Sequence, residues 1–405
     1  MDDTPKITRP YSGRQPLLMR VLLRTAQHLR TGTLRLVTPD GTHYDFAGRD
    51  PGPHATLILR HAAAARRLLL SGNMGFAEAY LDNQWETPDL MALLELGQRN
   101  ALALRKVERP GLLSRLMNNL IQVCRRNTRH GARKNIAYHY DLGNEFYKLW
   151  LDESLTYSSA IFADPEQSLA EAQKNKYNHI LELLQLEPQH RLLEIGSGWG
   201  GFAIYAAQQT GCRVTSITLS EAQLEEAQAR AEFAGLANQV QFQLRDYRDV
   251  SEQYDRIASI EMFEAVGEHY WQNFFETVRD CLQPGGRAAI QVITINDAAF
   301  AKYRKTADFI QRYIFPGGIL PCPSRWEQCL QYVGLRTESR SFYGSHYAKT
   351  LKCWYERVRK QHHAILGQGF DERFVRMWYY YLAYCHAGFI TGHVDVMQTA
   401  IVRNT

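Results

Sequence analysis

The stretch Arg191–Gly201, RLLEIGSGWGG, constrains the fold of this 405-residue chain more than any other. A short apolar run carries an acid, Glu194, near its end, and four glycines follow within six residues. The run from Ala203 to Gln209 is helical in composition. Strand, glycine turn and helix in that order open a nucleotide-binding α/β unit. Glycine is needed where backbone must approach a ligand closely or take positive φ. No Gly-Lys-Ser/Thr follows, which excludes a phosphate-cradling P-loop.

From about residue 190 the pattern alternates. RLLEI, CRVTSITL, VQFQLRD, YDRIASIEM and RAAIQVITI read as strands. Residues 200–209, 220–235 and 270–283 read as helices, the last ended by Gln283-Pro284-Gly285-Gly286. This alternation predicts an α/β fold with a doubly wound, mostly parallel sheet, Rossmann-like in kind. Ligands in such sheets sit beyond the carboxyl ends of the strands.

The part before this sheet is different in charge. Residues 1–134 hold 21 Lys/Arg against 11 Asp/Glu, a net of +10, and the rest hold 26 against 31, a net of −5. A basic module implies an acidic partner surface, nucleic acid or anionic membrane. Residues 17–30, 61–70 and 89–104 have helical spacing, and 34–37 with 42–46 read as short strands joined by the Pro39-Asp40-Gly41 turn. Residues 105–134 carry nine Lys/Arg and one Glu, with the amphipathic run LLSRLMNNLIQVC at their middle. They are expected to close the basic module, to link it to the next domain and to dock on anionic lipid. The expected division is a basic N-terminal docking domain over 1–125, α/β or α+β, and a catalytic domain over 126–405.

No run of 18 apolar residues exists, and the start Met-Asp-Asp-Thr-Pro lacks a signal-peptide core. A cytoplasmic protein, associated peripherally with the inner face of the membrane, is the expectation. Seven scattered cysteines without C-x-x-C spacing fit reduced thiols and no metal site.

Candidate cofactor residues follow from the strand ends. Gly196, Gly198 and Gly200 form the turn, with Glu194 before them. Thr218 and Gln223 are the polar groups at the end of the second strand, where Ser220 caps the next helix. Asp246 and Tyr247 end the third strand, placed to meet an adenine amino group and stack on its ring.

The form E-I-G-S-G-W-G-G resembles the first motif of S-adenosylmethionine-dependent methyltransferases. Further segments sharpen the likeness: His139-Tyr-Asp-Leu-Gly-Asn144, Leu155-Thr-Tyr-Ser-Ser159, Ile217-Thr-Leu-Ser-x-x-Gln223, Met262-Phe-Glu264-x-Val-Gly267 and Tyr313-Ile-Phe-Pro-Gly-Gly318. Together they resemble the cyclopropane-fatty-acyl-phospholipid synthase family, which includes the mycolic acid methyltransferases. Gly72-Asn-Met-Gly-Phe-x-Glu-x-Tyr80 resembles the extra N-terminal domain of its phospholipid-acting members. The resemblance implies a class I methyltransferase fold with S-adenosyl-L-methionine as cosubstrate. It places Tyr157 and Ser158 at the methionine part, the three glycines beneath it, Thr218 and Gln223 at the ribose, and Asp246 and Tyr247 at the adenine.

Alkylating an alkene leaves a carbocation, which aromatic faces stabilise. Phe263, Tyr303, Tyr313, Phe315, Phe342, Tyr343, Tyr347 and Trp354 are candidates for that role. In the resembling family a bound bicarbonate is thought to remove the proton that closes the ring. A cysteine, a glutamate, a histidine, a backbone amide and a tyrosine hold it. Glu264, Tyr347 and the Ile293 backbone match. Ser159 stands for the cysteine and Gln291 for the histidine, so the ring-closing step is altered. Glu264 is the expected centre of this set, and itself the base if apolar surroundings raise its pKa.

The expected activity is methyl(ene) transfer to the cis double bond of unsaturated phospholipid acyl chains, giving cyclopropane fatty acids. A methyl- or methylene-branched product is the alternative, because of Ser159 and Gln291. N-methylation of a small amine fits the catalytic fold and leaves the basic module without a purpose. Nucleic-acid methylation lacks its Asn/Asp-Pro-Pro-Tyr/Phe motif after the fourth strand. A lipid-binding protein without catalysis is the non-enzymatic reading, against which the intact cofactor motifs speak. The oligomeric state is open, a homodimer included.

Overall fold

A computed structural model describes residues 17–104 and 142–403. The basic segment 105–134 and His139, Tyr140 and Asp141 lie outside the described residues. The described residues form two compact units, 17–104 with 358–392, and 142–357 with 393–403.

The first unit is built on a four-stranded sheet of order β2-β1-β3-β4: β1 Thr31–Val37, β2 His43–Ala47, β3 Asp50–Leu59 and β4 Trp85–Glu86. β1 pairs antiparallel with β2 and parallel with β3, so the unit is of the α+β kind. β3, unmarked in the sequence pattern, begins Asp50-Pro-Gly-Pro and shows alternation in its second half, where Ala55, Leu57 and Leu59 are buried. Helices α1 (Leu17–Ala26) and α2 (Ala62–Leu81) pack together, and α3 (Leu90–Arg99) packs on β3. Gly72 breaks α2 with φ 55° and ψ −141°, which the GNMGF motif permits through a residue without Cβ. Beyond that kink Phe76 stacks on Trp85 at 4.2 Å.

The sequence assigns everything after residue 125 to the catalytic domain, but helix Glu372–Ile390 packs on α2 and α3 instead. Its Arg376 lies 3.9 Å over the Tyr80 ring and donates to the Tyr80 and Trp85 carbonyls at 2.6 and 3.1 Å. Helical spacing reveals that a face is apolar but not which distant surface covers it.

The second unit holds a seven-stranded sheet, order β10-β11-β9-β8-β5-β6-β7. Its strands are β5 Arg191–Ile195, β6 Arg213–Thr218, β7 Val240–Leu244, β8 Tyr254–Ile260, β9 Leu282–Ile295, β10 Leu335–Phe342 and β11 Val394–Arg403. β5 to β9 are mutually parallel, and β11 runs antiparallel to β9 and β10. This is the mostly parallel, Rossmann-like sheet that the sequence pattern predicts. β9 starts at Leu282, before the Pro-Gly-Gly turn, and slips register against β8 there.

Alternation along β5 explains the layers. Leu193 and Ile195 join a buried cluster with Trp271, Phe274 and Trp326. Leu192, on the opposite face, joins Tyr177, Ile180, Phe202, Ala206 and Ala227. Helices therefore cover both faces, as near-continuous apolar strands require. The order of strands reverses at β5, with β6 on one side and β8 on the other, which opens a crevice at their carboxyl ends.

Candidate active site

The glycine turn after β5 is shaped by three residues at positive φ: Gly196 at 100°, Gly198 at 49° and Gly200 at 82°. They do different work. A Cβ on Gly200 would stand 2.8 Å from Phe242 Cζ, so this glycine lets helix Gly201–Thr210 pack on the sheet. A Cβ on Gly198 would meet no atom within 4 Å and would project into open space. Beside it, Ser197 Oγ is buried with no hydrogen-bond partner among the described residues. Trp199 Nε1 donates to Asn144 Oδ1 at 2.7 Å, which ties the turn to the HYDLGN segment.

The other predicted cofactor residues end neighbouring strands. Thr218 donates to Gln223 Oε1 at 3.0 Å, and Ser220 caps its helix by accepting from Gln223 N. Asp246 is buried and held by Arg248, whose Nε and Nη2 donate to it at 2.8 and 2.5 Å. Tyr247 packs edge-on to Phe274 and lies under the Arg248 guanidinium. Glu194 is buried below the turn, where it accepts from Ser216 Oγ at 2.5 Å. Burial pushes its pKa up to about 8, with Ser216 and Lys176 pulling the other way.

Tyr157 stands in an aromatic wall with Tyr147, Trp150 and Trp354, ring centroids 5.3–5.7 Å away. Ser158 Oγ accepts from Lys176 Nζ at 2.7 Å. Lys176 is wholly buried, and desolvation lowers its pKa to about 7 against the pull of Glu261, Asp152 and Glu194. Sequence reasoning missed Lys176. It falls on the buried helical stripe Leu169, Ala172, Gln173, Tyr177, Ile180, and a lysine there is the available signal.

The set expected around Glu264 is gathered around a different carboxylate. Glu261, directly after β8, accepts at Oε1 from Ser159 N at 2.8 Å and from Gln291 Nε2 at 2.6 Å. Its Oε2 accepts from Tyr347 OH at 2.6 Å. Ser159 takes part through its backbone, since its hydroxyl donates to the Ala160 carbonyl at 3.1 Å. Glu264 accepts from the Ile293 amide, 2.5 Å from Oε1, and its Oε2 is buried without a partner among the described residues. The physical reason lies in the backbone. Glu261 takes φ 51°, and its amide continues the sheet by donating to the Gln291 carbonyl at 2.8 Å. Its side chain therefore meets the β9 neighbour of the strand end. Glu264 sits one short 3₁₀ turn later, at Phe263–Ala265. The two acids in E-M-F-E were the signal for Glu261.

The two carboxylates divide one charge. Burial raises the pKa of both. Three donors favour the anion at Glu261, first among them Tyr347. Glu264 has only backbone amides, that of Ile293 and its own, and is pushed up to about 8 by burial and then by the Glu261 charge. Like charges this deep disfavour joint ionisation, and the three donors favour the anion at Glu261 over that at Glu264. The raised pKa meets the condition for Glu264 itself to act as a base, while the polar set expected around it is gathered on Glu261.

Of the candidate cation-stabilising aromatics, Phe263 is a core residue packed on Trp271, Phe274 and Trp326, and Phe342 is exposed on β10. Trp354 and Phe315 stand beside Tyr157, and Tyr347 touches both Glu261 and the Trp354 ring.

The family model for mycolic acid cyclopropane synthetase matches residues 127–399. The chain belongs to this family. It is 39% identical over 394 residues to the tuberculostearic acid methyltransferase UfaA1 of Mycobacterium tuberculosis, covering 95% of this chain and 90% of that protein. It is 34% identical over 350 residues to the cyclopropane-fatty-acyl-phospholipid synthase of Escherichia coli, covering 84% and 85%. The solved structure of mycolic acid cyclopropane synthase CmaA1 with SAH and CTAB superposes with a TM-score of 0.63 at 29% identity, over 67% of this chain and 98% of that one. As a member of this family the protein is an S-adenosylmethionine-dependent methyltransferase. The residues that would hold that cosubstrate fit it in kind: Gly198 with its open face, Ser197 Oγ buried without a partner among the described residues, and the Thr218–Gln223 pair at the next strand end. Among the described residues no helix is long and apolar enough to cross a membrane.

The two glycines make a contrast that can be measured. Gly198→Val should abolish S-adenosylmethionine binding by calorimetry in a protein that still folds, with a lower melting temperature because valine is strained at φ 49°. Gly200→Ala should lose about 1–3 kcal/mol of stability by overpacking against Phe242, read in a denaturant titration.

The Glu264 proton also has a sign. The native state keeps a proton that an unfolded carboxyl gives up near 4.5, so its contribution to stability falls as pH rises from about 4.5 to about 8. Glu264→Gln should therefore gain on the wild type across that window in denaturant melts at stepped pH. Parallel curves would show that Glu264 is ionised in the native state.

Proposed function

We propose that this protein transfers a methyl group from S-adenosylmethionine to the double bond of an unsaturated phospholipid acyl chain. In this reading the Glu261 carboxylate is the proton acceptor, in the place the family gives to bicarbonate. The observation that carries this is the engagement of Ser159 N, Gln291 and Tyr347 on one protein carboxylate. A cradle whose donors are spent on a tethered anion has no need of a diffusible one.

Bound S-adenosylmethionine supplies an electrophilic methyl group. Tyr157, Trp354 and Phe315 present aromatic faces that favour the cation left on the acyl chain. Glu261 takes one proton from that cation, and the C–H electron pair becomes the new carbon–carbon bond. Loss from the new methyl with ring closure gives a cyclopropane. Loss from a flanking carbon, or from the new methyl after a hydride shift, leaves a branched chain that keeps one double bond. We place the branched product first. Glu261 is anchored to the end of β8 and held on both oxygens, so it cannot follow the new methyl as a free ion does. The similarity to a protein named a methyltransferase over 95% of this chain supports the same order.

The test uses vesicles of a mono-unsaturated phospholipid and labelled S-adenosylmethionine in carbonate-free buffer. The rate should not change when bicarbonate is restored. The two products are isomers, so proton NMR decides: vinyl signals for the branch, upfield ring signals for the cyclopropane. Glu261→Gln should lose at least about 100-fold in rate, the scale of a general base, and Glu264→Gln less. A rate that depends on bicarbonate would overturn the assignment of Glu261.

The membrane as partner is part of the same proposal and rests on the charge of residues 1–134. Vesicle binding should weaken steeply with salt, because exposed charges are screened over about 8–10 Å at physiological strength. Replacing Arg125, Arg126, Arg129 and Arg133 together should cost at most roughly 1 kcal/mol per charge, read by co-sedimentation. Equal binding to neutral and anionic vesicles at every salt concentration contradicts electrostatic docking.

A further inference from the structure

We infer that His179 is a positioning residue for the Glu261 carboxylate, acting through a directed chain of side-chain hydrogen bonds across β9 and β11. The inference rests on Glu261 being the ionised group of the proposed reaction.

The chain has three links. Gln291 Nε2 donates to Glu261 Oε1 at 2.6 Å. Gln398 Nε2 donates to Gln291 Oε1 at 2.6 Å. The Gln398 Oε1 atom then meets His179 Nδ1. The register of the sheet makes this possible, because Gln398 of β11 stands directly opposite Gln291 of β9. Both glutamines are about 1% exposed. His179 projects from helix Leu169–Leu184, three residues after Lys176, and is half-buried. Its Nε2 lies 3.3 Å from Tyr343 OH.

The direction of every link is forced from the active-site end. An ionised carboxylate only accepts, so Gln291 must turn its NH2 toward Glu261. That leaves the Gln291 carbonyl facing Gln398, which must answer with its own NH2. The Gln398 carbonyl in turn needs a donor, and His179 Nδ1 is the group there. His179 is thereby held as the Nδ1–H tautomer, with Nε2 free to accept from Tyr343. Without that donor Gln398 can flip. Its NH2 is then lost to the Gln291 carbonyl, and Gln291, still oriented by Glu261, is held less firmly against the carboxylate. The second Gln291 hydrogen bond, to the Ser159 carbonyl at 3.3 Å, is longer and shares the task without replacing it. A histidine expected at position 291 is absent from this chain, and an imidazole stands at the far end of the amide pair instead.

The test joins kinetics with a spectroscopic readout on the full-length protein. His179→Leu should lower kcat up to about tenfold, the upper worth of one neutral hydrogen bond, with KM for S-adenosylmethionine unchanged. His179→Asn, whose side-chain NH2 can stand where Nδ1–H stood, should keep kcat within about twofold. Imidazole nitrogen NMR of ¹⁵N-histidine protein, with His179 assigned by its loss in His179→Asn, should show the Nδ1–H tautomer in wild type. In Glu261→Gln that signal should shift, because the acceptor that sets the direction is gone. An Nε2–H tautomer in wild type overturns the inference, as does equal loss in the Leu and Asn variants. If Glu261→Gln keeps full activity while His179 is Nδ1–H, the catalytic reading fails and the positioning chain stands.

Discussion

One buried negative charge at the end of β8 sets the demands that the catalytic unit meets. An ionised carboxylate removed from water is costly unless it is paired and hydrogen-bonded. Glu261 finds its donors on segments far apart in the chain: the Ser159 amide, the Gln291 side chain and the Tyr347 hydroxyl. Lys176 lies within electrostatic reach of Glu261, which pulls it toward its charged form against burial, although it bonds Ser158 and not the carboxylate. Breaking one of these contacts leaves the charge uncompensated, which costs more than the contact itself contributes.

The sheet is what brings these groups to one place. Ile260 of β8 lies beside Gln291 of β9, and Gln291 lies beside Gln398 of β11. β8 therefore hands Glu261 to the neighbouring strand at a fixed height. The glycine turn after β5 opens next to it, and the aromatic wall of Tyr147, Trp150, Tyr157 and Trp354 stands near by. Cofactor residues and the carboxylate cradle thus occupy adjacent strand ends of one parallel sheet, the place where such folds bind ligands.

Much of this was legible from local pattern. The alternation of strands and helices after residue 190, the cap at Ser220 and the turn at Gly196–Gly200 are encoded within a few residues each. The Thr218–Gln223 pairing lies inside a single strand-to-helix connection. What was not legible depends on long-range register. Glu261 and Glu264 are three residues apart, and either could face β9. The positive φ of Glu261 decided between them, and no neighbouring residue type announces it. Ser159 stands for a cysteine of the family, but it is the backbone amide at that point that meets the carboxylate. The helix Glu372–Ile390 was placed with the catalytic domain because its apolar stripe does not name its partner.

The most direct measurement is the carboxyl stretching region of the infrared spectrum at neutral pH, compared among wild type, Glu261→Gln and Glu264→Gln. Two buried glutamates other than Glu261, Glu194 and Glu264, are held as neutral acids with pKa values pushed up to about 8. The account predicts that Glu264→Gln removes one protonated-carboxyl band and that Glu261→Gln removes none. Loss of such a band in Glu261→Gln, with no band lost in Glu264→Gln, would mean that Glu261 carries the proton. The cradle would then hold a neutral acid, and the base would have to be sought elsewhere.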